Sequence, residues 1–91
     1  MKIKFPFSRF VIDEESMWPA YKPGDHVLTF NWGKFGVGNA VVFRKGAKFY
    51  VKRVAFIKAG LIHVAGDNTA KSEKMPPVLL SAVVGRIVLR Y

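Results

Sequence analysis

Short runs of apolar and alternating apolar and polar residues, separated by turn signals, cover most of the chain. Such alternation is typical of half-buried β-strands, and no segment has the 3.6-residue period of an amphipathic helix. The predicted strands are residues 9–12, 26–30, 40–44, 48–56, 61–65 and 82–89. We therefore expect an all-β domain, a small sandwich or partly open barrel of short and mostly antiparallel strands.

Several segments between these runs are predicted to be turns or loops. Proline and glycine mark a turn at residues 22–25, and three glycines make residues 33–38 a loop. Residues 69–77 are polar and proline-rich and predict a longer loop. Residues 16–19 could begin a short helical turn, which the prolines at positions 19 and 23 prevent from extending.

Composition narrows the class of protein. With 91 residues, of which 51% are hydrophobic, the chain predicts a single domain over residues 1–91 with its own core. It has no cysteine, so it has no disulfides or thiolate metal site, and nothing indicates another metal or a cofactor. The longest apolar run, residues 76–84, is far shorter than the roughly 20 residues of a membrane-spanning helix. The first ten residues lack the apolar stretch of a signal peptide, so we expect a soluble protein or one peripheral to a membrane.

The charge is large and unevenly distributed. The formal net charge of +9 favours anionic partners, and four of the six acidic residues lie within residues 13–25. Aromatic residues interspersed with lysines suggest peripheral contact with an anionic membrane surface, with most of the rings expected in the core. These residues are Phe5, Phe7, Trp18, Trp32 and Phe35, with Lys2, Lys4 and Lys34.

The chain offers a serine nucleophile with an unusual choice of base. A serine hydroxyl is a poor nucleophile until a base takes its proton. The two histidines, His26 and His63, have no surrounding motif and are expected to be ordinary strand residues. A lysine can replace histidine when its pKa falls from about 10.4 toward 7 or 8.

Lys52 lies within an apolar strand-like run that would lower its pKa. Alternation along the strand places it on one face with Tyr50, Val54 and Phe56, so its amine rises from an apolar surface. Burial disfavours the charged ammonium, and the adjacent positive charge of Arg53 is expected to act in the same direction.

Three segments in a fixed order resemble a known family. They are residues 15–19 (Glu-Ser-Met-Trp-Pro), 50–54 (Tyr-Val-Lys-Arg-Val) and 66–68 (Gly-Asp-Asn). Their order and contexts resemble the signal peptidase I family of Ser–Lys serine endopeptidases, and more distantly the self-cleaving repressor peptidases of the SOS response. The resemblance extends from Asp13 to Val88. Unlike the family, the chain shows no membrane anchor and no inserted second domain, so we expect a soluble minimal catalytic core, either that core alone or a complete soluble relative.

The resemblance also implies roles for particular residues. Ser16 would be the nucleophile, its backbone N–H an oxyanion donor, and Lys52 the general base. Ser72 would hydrogen-bond the lysine amine, while Asp67 and Gly66 would brace the turn that carries them. The candidates for a substrate groove are Met17, Trp18 and Pro19. The implied substrate is an extended peptide or preprotein with small residues near the cleavage point, and no metal takes part.

The pattern departs from the family at two further places. Glu14 and Glu15 occupy the stretch that often supplies the second oxyanion donor, so we expect both carboxylates to point away. An Asp-Ser-Arg element expected after the Gly-Asp-Asn turn is missing. Two alternatives therefore stay open: a peptidase-like module without activity, and a basic β-barrel that binds single-stranded nucleic acid. The latter leaves the order of the three segments unexplained, so nucleic acid is the less expected partner.

Overall fold

The computed structural model describes residues 4–91 and consists mainly of β-strands, which confirms the predicted all-β class. Lys2, named above among the cations, lies outside the described residues. The strands are β1 Phe7–Val11, β2 His26–Phe30, β3 Ala40–Lys45, β4 Lys48–Lys58, β5 Leu61–Ala65, β6 Val78–Leu79 and β7 Val83–Arg90. A short 3-10 helix, Leu80–Ala82, separates β6 from β7. In the part of the chain from residue 4 onward, no helix is long and apolar enough to cross a membrane.

All seven strands belong to one sheet with the order β1-β2-β7-β3-β4-β5-β6. Every neighbouring pair is antiparallel, as predicted. The last strand along the chain, β7, lies between β2 and β3. It therefore joins the N-terminal hairpin β1–β2 to the meander β3–β6 by backbone hydrogen bonds.

The sheet is strongly curled, although it does not close. Strands lie about 4.8 Å apart in a flat sheet, so four intervals would separate β1 from β4 by about 19 Å. Instead the rings of Phe10 in β1 and Phe49 in β4 have centroids 5.2 Å apart. Register shifts between Leu28 and Thr29 and between Val42 and Phe43 fit this curvature, because bulges bend a strand and increase its twist. The curl brings the β1–β2 connection over β4.

The main hydrophobic core lies on one face of the central and C-terminal strands. Its buried members include Val41 and Phe43 from β3, Val54 from β4, Ile62 from β5 and Val83 from β7. Residues 40–43 of β3 are buried on both faces. One face packs in the hydrophobic core, and the curled sheet covers the other. This core fixes the position of β4, the strand that carries the candidate lysine.

The expectation that most of the lysine-flanked aromatic rings are buried in the core is wrong. Phe5, Phe7, Trp18 and Trp32 are exposed, and of the five rings Phe35 is the one that packs against the core. Phe7 lies on the outward face of an edge strand, and Phe5 precedes that strand. Trp18 and Trp32 lie in connections between strands, where the curled sheet does not cover them.

Candidate functional site

Ser16 lies in the long connection between β1 and β2. The base of this connection is closed by a hydrogen bond from Ile12 N to Asp25 O, 2.8 Å. After Ser16 the backbone forms a turn that contains a cis peptide bond between Trp18 and Pro19, and Tyr21 N donates to Met17 O at 2.9 Å. A short turn at this place is what the two prolines predicted. The connection therefore holds Ser16 in a defined position.

The Ser16 side chain borders a small pocket under the curled sheet, called here the Ser16 pocket. Its lining comes from the start of the β1–β2 connection and from β1, β3 and β4. Lining residues are Phe10, Val11, Ile12, Asp13, Glu14, Ser16, Met17, Val42, Phe49, Tyr50 and Val51. Ser16 is 4% exposed, and neither Lys52 nor Ser72 is among the residues that line this pocket.

The three predicted groove residues separate in the structure. Met17 is buried and lines the Ser16 pocket, where it anchors the nucleophile loop. Trp18 and Pro19 are exposed and do not line that pocket. Lys22 Nζ lies 5.1 Å from the centroid of the Trp18 ring, a cation–π contact on the outer side of the loop.

The backbone around Ser16 has a fixed orientation. Its carbonyl accepts a hydrogen bond from Asn68 N at 2.8 Å, and Asn68 Nδ2 donates to Glu15 O at 3.2 Å. Within residues 4–91, no protein acceptor takes the Ser16 N–H, which leaves that donor available to an incoming oxyanion. The clamp by Asn68 was missed from the sequence, where the asparagine was read only as part of the Gly-Asp-Asn turn.

Gly66 is the point where three segments of the site meet. A Cβ atom there would overlap the Ser72 hydroxyl and would lie 2.6 Å from Ser16 O. Glycine is therefore required by the close approach of the nucleophile loop, the turn and the Ser72 loop. The structure thus brings together the Ser16, Gly66 and Ser72 segments that the sequence singled out separately.

Lys52 is almost completely buried. Its residue is 1% exposed, it lies opposite Val41 in the sheet, and it shares the core face with Val54. Its Nζ donates a hydrogen bond to Ser72 Oγ at 3.0 Å. Among the described residues, Ser72 is the one side chain that hydrogen-bonds the Lys52 amine. Ser16 Oγ lies outside hydrogen-bonding distance of that amine.

The Lys52 pKa is lowered from its ordinary value of 10.5, chiefly because burial removes water from the charged ammonium. The carboxylates of Glu14 and Glu73 oppose this change, and the positive charge of Lys48 adds to it. A lysine with a lowered pKa supplies the neutral amine that a general base requires.

Two details of the predicted lysine environment are wrong. Val54 pairs with Val64 of β5 and Phe56 pairs with the adjacent His63, so Ala55 is an extra residue in β4. Phe56 therefore lies on the face opposite to the one predicted, where its ring stacks on His63. Arg53 is also not the like charge that acts on the lysine. Its guanidinium lies on the opposite face, and Lys48 takes the expected electrostatic role.

Arg53 instead braces the turn after β5. Its Nε and Nη2 donate to the two carboxylate oxygens of Asp67 at 2.8 and 2.7 Å, and its Nη1 donates to Gly38 O at 2.8 Å. Such a two-pronged pair fixes geometry more firmly than a single contact. Asp67 thus ties the turn that carries Gly66 to β4.

The two glutamates before Ser16 have different surroundings. The Glu14 carboxylate accepts a hydrogen bond from Lys48 Nζ at 2.6 Å, and Glu15 is exposed. This ion pair joins the nucleophile loop to the start of β4. Sequence reasoning missed it, because the two residues become neighbours only through the curl of the sheet.

Comparisons with known proteins found no matching protein family and no significant match among curated proteins. Within residues 4–91, no group of three or more histidine, aspartate or glutamate side chains could hold a metal ion.

Proposed function

We propose that this protein is a serine endopeptidase of the signal peptidase I type, with Ser16 as nucleophile and Lys52 as general base. The observation that carries the proposal is the buried Lys52 amine, held by Ser72 beside the Ser16 loop. A lysine that is 1% exposed costs stability, because its charged form is poorly solvated there. A role for its neutral form explains why a lysine occupies a core position.

The proposed reaction follows the chemistry of acyl transfer. Ser16 Oγ attacks the scissile carbonyl carbon while its proton passes to neutral Lys52 Nζ. The oxyanion that forms accepts a hydrogen bond from the Ser16 N–H. Protonated Lys52 then gives its proton to the leaving amine as the peptide bond breaks. A water molecule, deprotonated by the same lysine, hydrolyses the acyl-enzyme and releases Ser16.

Ser72 would orient the amine for this transfer. Its hydroxyl accepts a hydrogen bond from Lys52 Nζ at 3.0 Å and packs against Gly66, whose missing side chain leaves room for the Ser16 carbonyl. Catalytic hydrogen bonds are often long in free enzymes and tighten when substrate binds. We infer that the Lys52 amine moves from Ser72 toward Ser16 Oγ in that step.

The pocket and the sheet edge support a peptide substrate. β1 is an edge strand, and its last residues continue directly into the wall of the Ser16 pocket. An extended peptide can pair with such an edge through its backbone. The small size of the pocket favours small side chains next to the cleaved bond, as the family resemblance implies.

A peptide-library digestion read by mass spectrometry tests the proposal. We expect the wild type to cut a subset of peptides, and we expect Ser16→Ala and Lys52→Ala to abolish those cuts. Ser81→Ala and Lys45→Ala change an exposed serine and an exposed lysine away from the site and serve as matched controls. Thermal unfolding of every variant establishes that loss of cleavage is not loss of fold.

Three results would contradict the proposal. Cleavage that survives either Ser16→Ala or Lys52→Ala would exclude the assigned pair. No cleavage across a diverse library, including peptides presented on membranes, would favour a module without activity. Salt-dependent binding of oligonucleotides that Ser16→Ala leaves unchanged would favour the nucleic-acid alternative.

A further inference from the structure

The Glu14–Lys48 ion pair lies beside the Ser16 pocket, and the reaction proposed above makes no use of it. Glu14 is two residues before the nucleophile and lines the pocket with Ser16. A carboxylate free to turn toward the reacting carbonyl would oppose the negative charge that develops there. The site therefore needs a device that holds this carboxylate away.

Lys48 has the position of such a device. Its Nζ lies 2.6 Å from Glu14 Oε1 and 5.1 Å from the centroid of the Tyr50 ring. That ring stacks on the buried Phe43, with centroids 5.8 Å apart and an interplanar angle of 19°. The ammonium thus contacts both the Glu14 carboxylate and an aromatic ring that packs against the core, while the Lys48 side chain itself is 53% exposed.

We propose that Lys48 is a positioning residue that holds the Glu14 carboxylate away from the Ser16 oxyanion site and offsets its charge at Lys52. This inference rests on the proposed peptidase function. Lys48 would thus allow a glutamate to lie two residues before the nucleophile without its carboxylate opposing the reaction.

The electrostatics of Lys52 support the proposal. Three charged groups act on its amine besides burial: Glu14 from the nucleophile loop, Glu73 from the loop before β6, and Lys48 from β4 itself. The two carboxylates raise the Lys52 pKa and Lys48 lowers it. Without Lys48, Glu14 would act uncompensated on both the base and the oxyanion. If both Lys48 and Glu14 were removed, their opposite effects on the Lys52 pKa would largely cancel.

The test compares Lys48→Ala, Glu14→Gln, the double variant and Lys48→Arg, with Lys45→Ala as a control in the same hairpin. Lys48→Ala is expected to lower kcat/KM for a cleaved peptide roughly three- to fivefold and to move the acid limb of its pH profile upward. Glu14→Gln is expected to move that limb downward. The double variant should recover most of the loss, and Lys48→Arg should keep near-wild-type kcat/KM.

A second measurement does not depend on cleavage. The Lys52 pKa is followed by ¹³C NMR of the lysine Cε resonance in each variant, with Lys52→Ala to assign the signal. We expect it to rise in Lys48→Ala, to fall in Glu14→Gln and to return toward wild type in the double variant. If the wild type cleaves no peptide, the proposed function fails, while these shifts still decide what Lys48 does.

The proposal is overturned by a Lys48→Ala variant with unchanged Lys52 pKa and unchanged pH profile. It is also overturned if Glu14→Gln lowers kcat/KM as much as Lys48→Ala without recovery in the double variant. That pattern would assign the ion pair a purely structural role in tethering the loop.

Discussion

A single lysine in a hydrophobic core links the stability of this protein to its proposed chemistry. Lys52 occupies a β4 position whose neighbours on the same face are apolar and buried. Methionine, with similar length and no charge, would fill the same space without a buried ammonium. Lys52 is thus an example of the trade-off between stability and activity: an apolar side chain at this position would make the fold more stable but could not act as a base.

We predict that Lys52→Met raises the free energy of unfolding at pH 7 by about 1–2 kcal/mol while removing cleavage. Because the folded-state pKa of Lys52 lies below that of the unfolded chain, the unfolded state binds more protons between these two values. Wild-type stability contributed by this group therefore rises with pH across that window. The advantage of Lys52→Met should shrink accordingly.

Urea denaturation of both proteins at neutral and alkaline pH measures this difference. Lys45→Met, at an exposed position in β3, is the matched control and should show no such pH-dependent advantage. An advantage of Lys52→Met that grows as pH rises would contradict the assigned direction of the pKa change.

At the scale of elements, the site depends on three loops meeting at one glycine. The nucleophile loop, the turn after β5 and the loop before β6 approach each other around Gly66, where a methyl group has no room. Of the three atoms nearest to such a methyl group, one is the Ser16 carbonyl oxygen and two belong to the Ser72 side chain, which holds Lys52. Any displacement there separates the proposed base from the proposed nucleophile.

Gly66→Ala is therefore expected to destabilise the fold by roughly 1–3 kcal/mol and to lower cleavage at least about tenfold. Gly36→Ala is the matched control, because a Cβ at that position has no atom within 4 Å. It should change stability by less than about 1 kcal/mol. Thermal unfolding and kcat/KM of the two variants give the comparison, and equal effects would contradict the packing argument.

Local sequence patterns predicted most of the strands but not the irregularities between them. β2 and β5 begin and end where alternation predicted, since both are bounded by clear turn residues. β6 has only two residues and so offers no periodicity to recognise. The extra residue in β4 could not be predicted, because residues 54–57 are all apolar and so contain no alternation in which a break could be seen.

The site was predictable to the extent that its residues lie in recognisable segments. Ser16, Lys52 and Ser72 were all named from local motifs and from the family resemblance, and their roles stay predictions. The Glu14–Lys48 pair has no local signal, because it depends on the curl that brings β1 and its following loop over β4. Contacts of this kind follow from tertiary structure alone.

At the scale of the whole molecule, charge is divided between a basic surface and a small acidic region beside Ser16. The net charge is +9, yet Asp13, Glu14, Glu15 and Asp25 all belong to or border the nucleophile loop. The positive net charge attracts anionic molecules from a distance, whereas the acidic residues near Ser16 repel negative groups close to the reacting bond. A favoured peptide would carry its acidic residues away from the cleavage point.

We predict that a cleavable peptide with a distal acidic segment reacts with a kcat/KM that falls roughly tenfold as ionic strength rises from about 0.05 to about 0.5 M, because salt screens the attraction. A peptide of the same length with glutamines in place of the acids should change much less. Steady-state assays of the pair measure the effect, and equal salt dependence would exclude electrostatic steering.

The position of β7 has a consequence for how the chain acquires its structure. The first two strands and the next four form two separate blocks whose inner edges, β2 and β3, stay without partners until β7 is inserted between them. Contacts so distant along the chain form slowly. During synthesis at the ribosome, Ser16 and Lys52 would therefore lie in two blocks that share no strand pairing until residues 83–90 have emerged. We expect the loop contacts between these blocks, and any hydrolytic capacity, to become stable only once β7 has joined them.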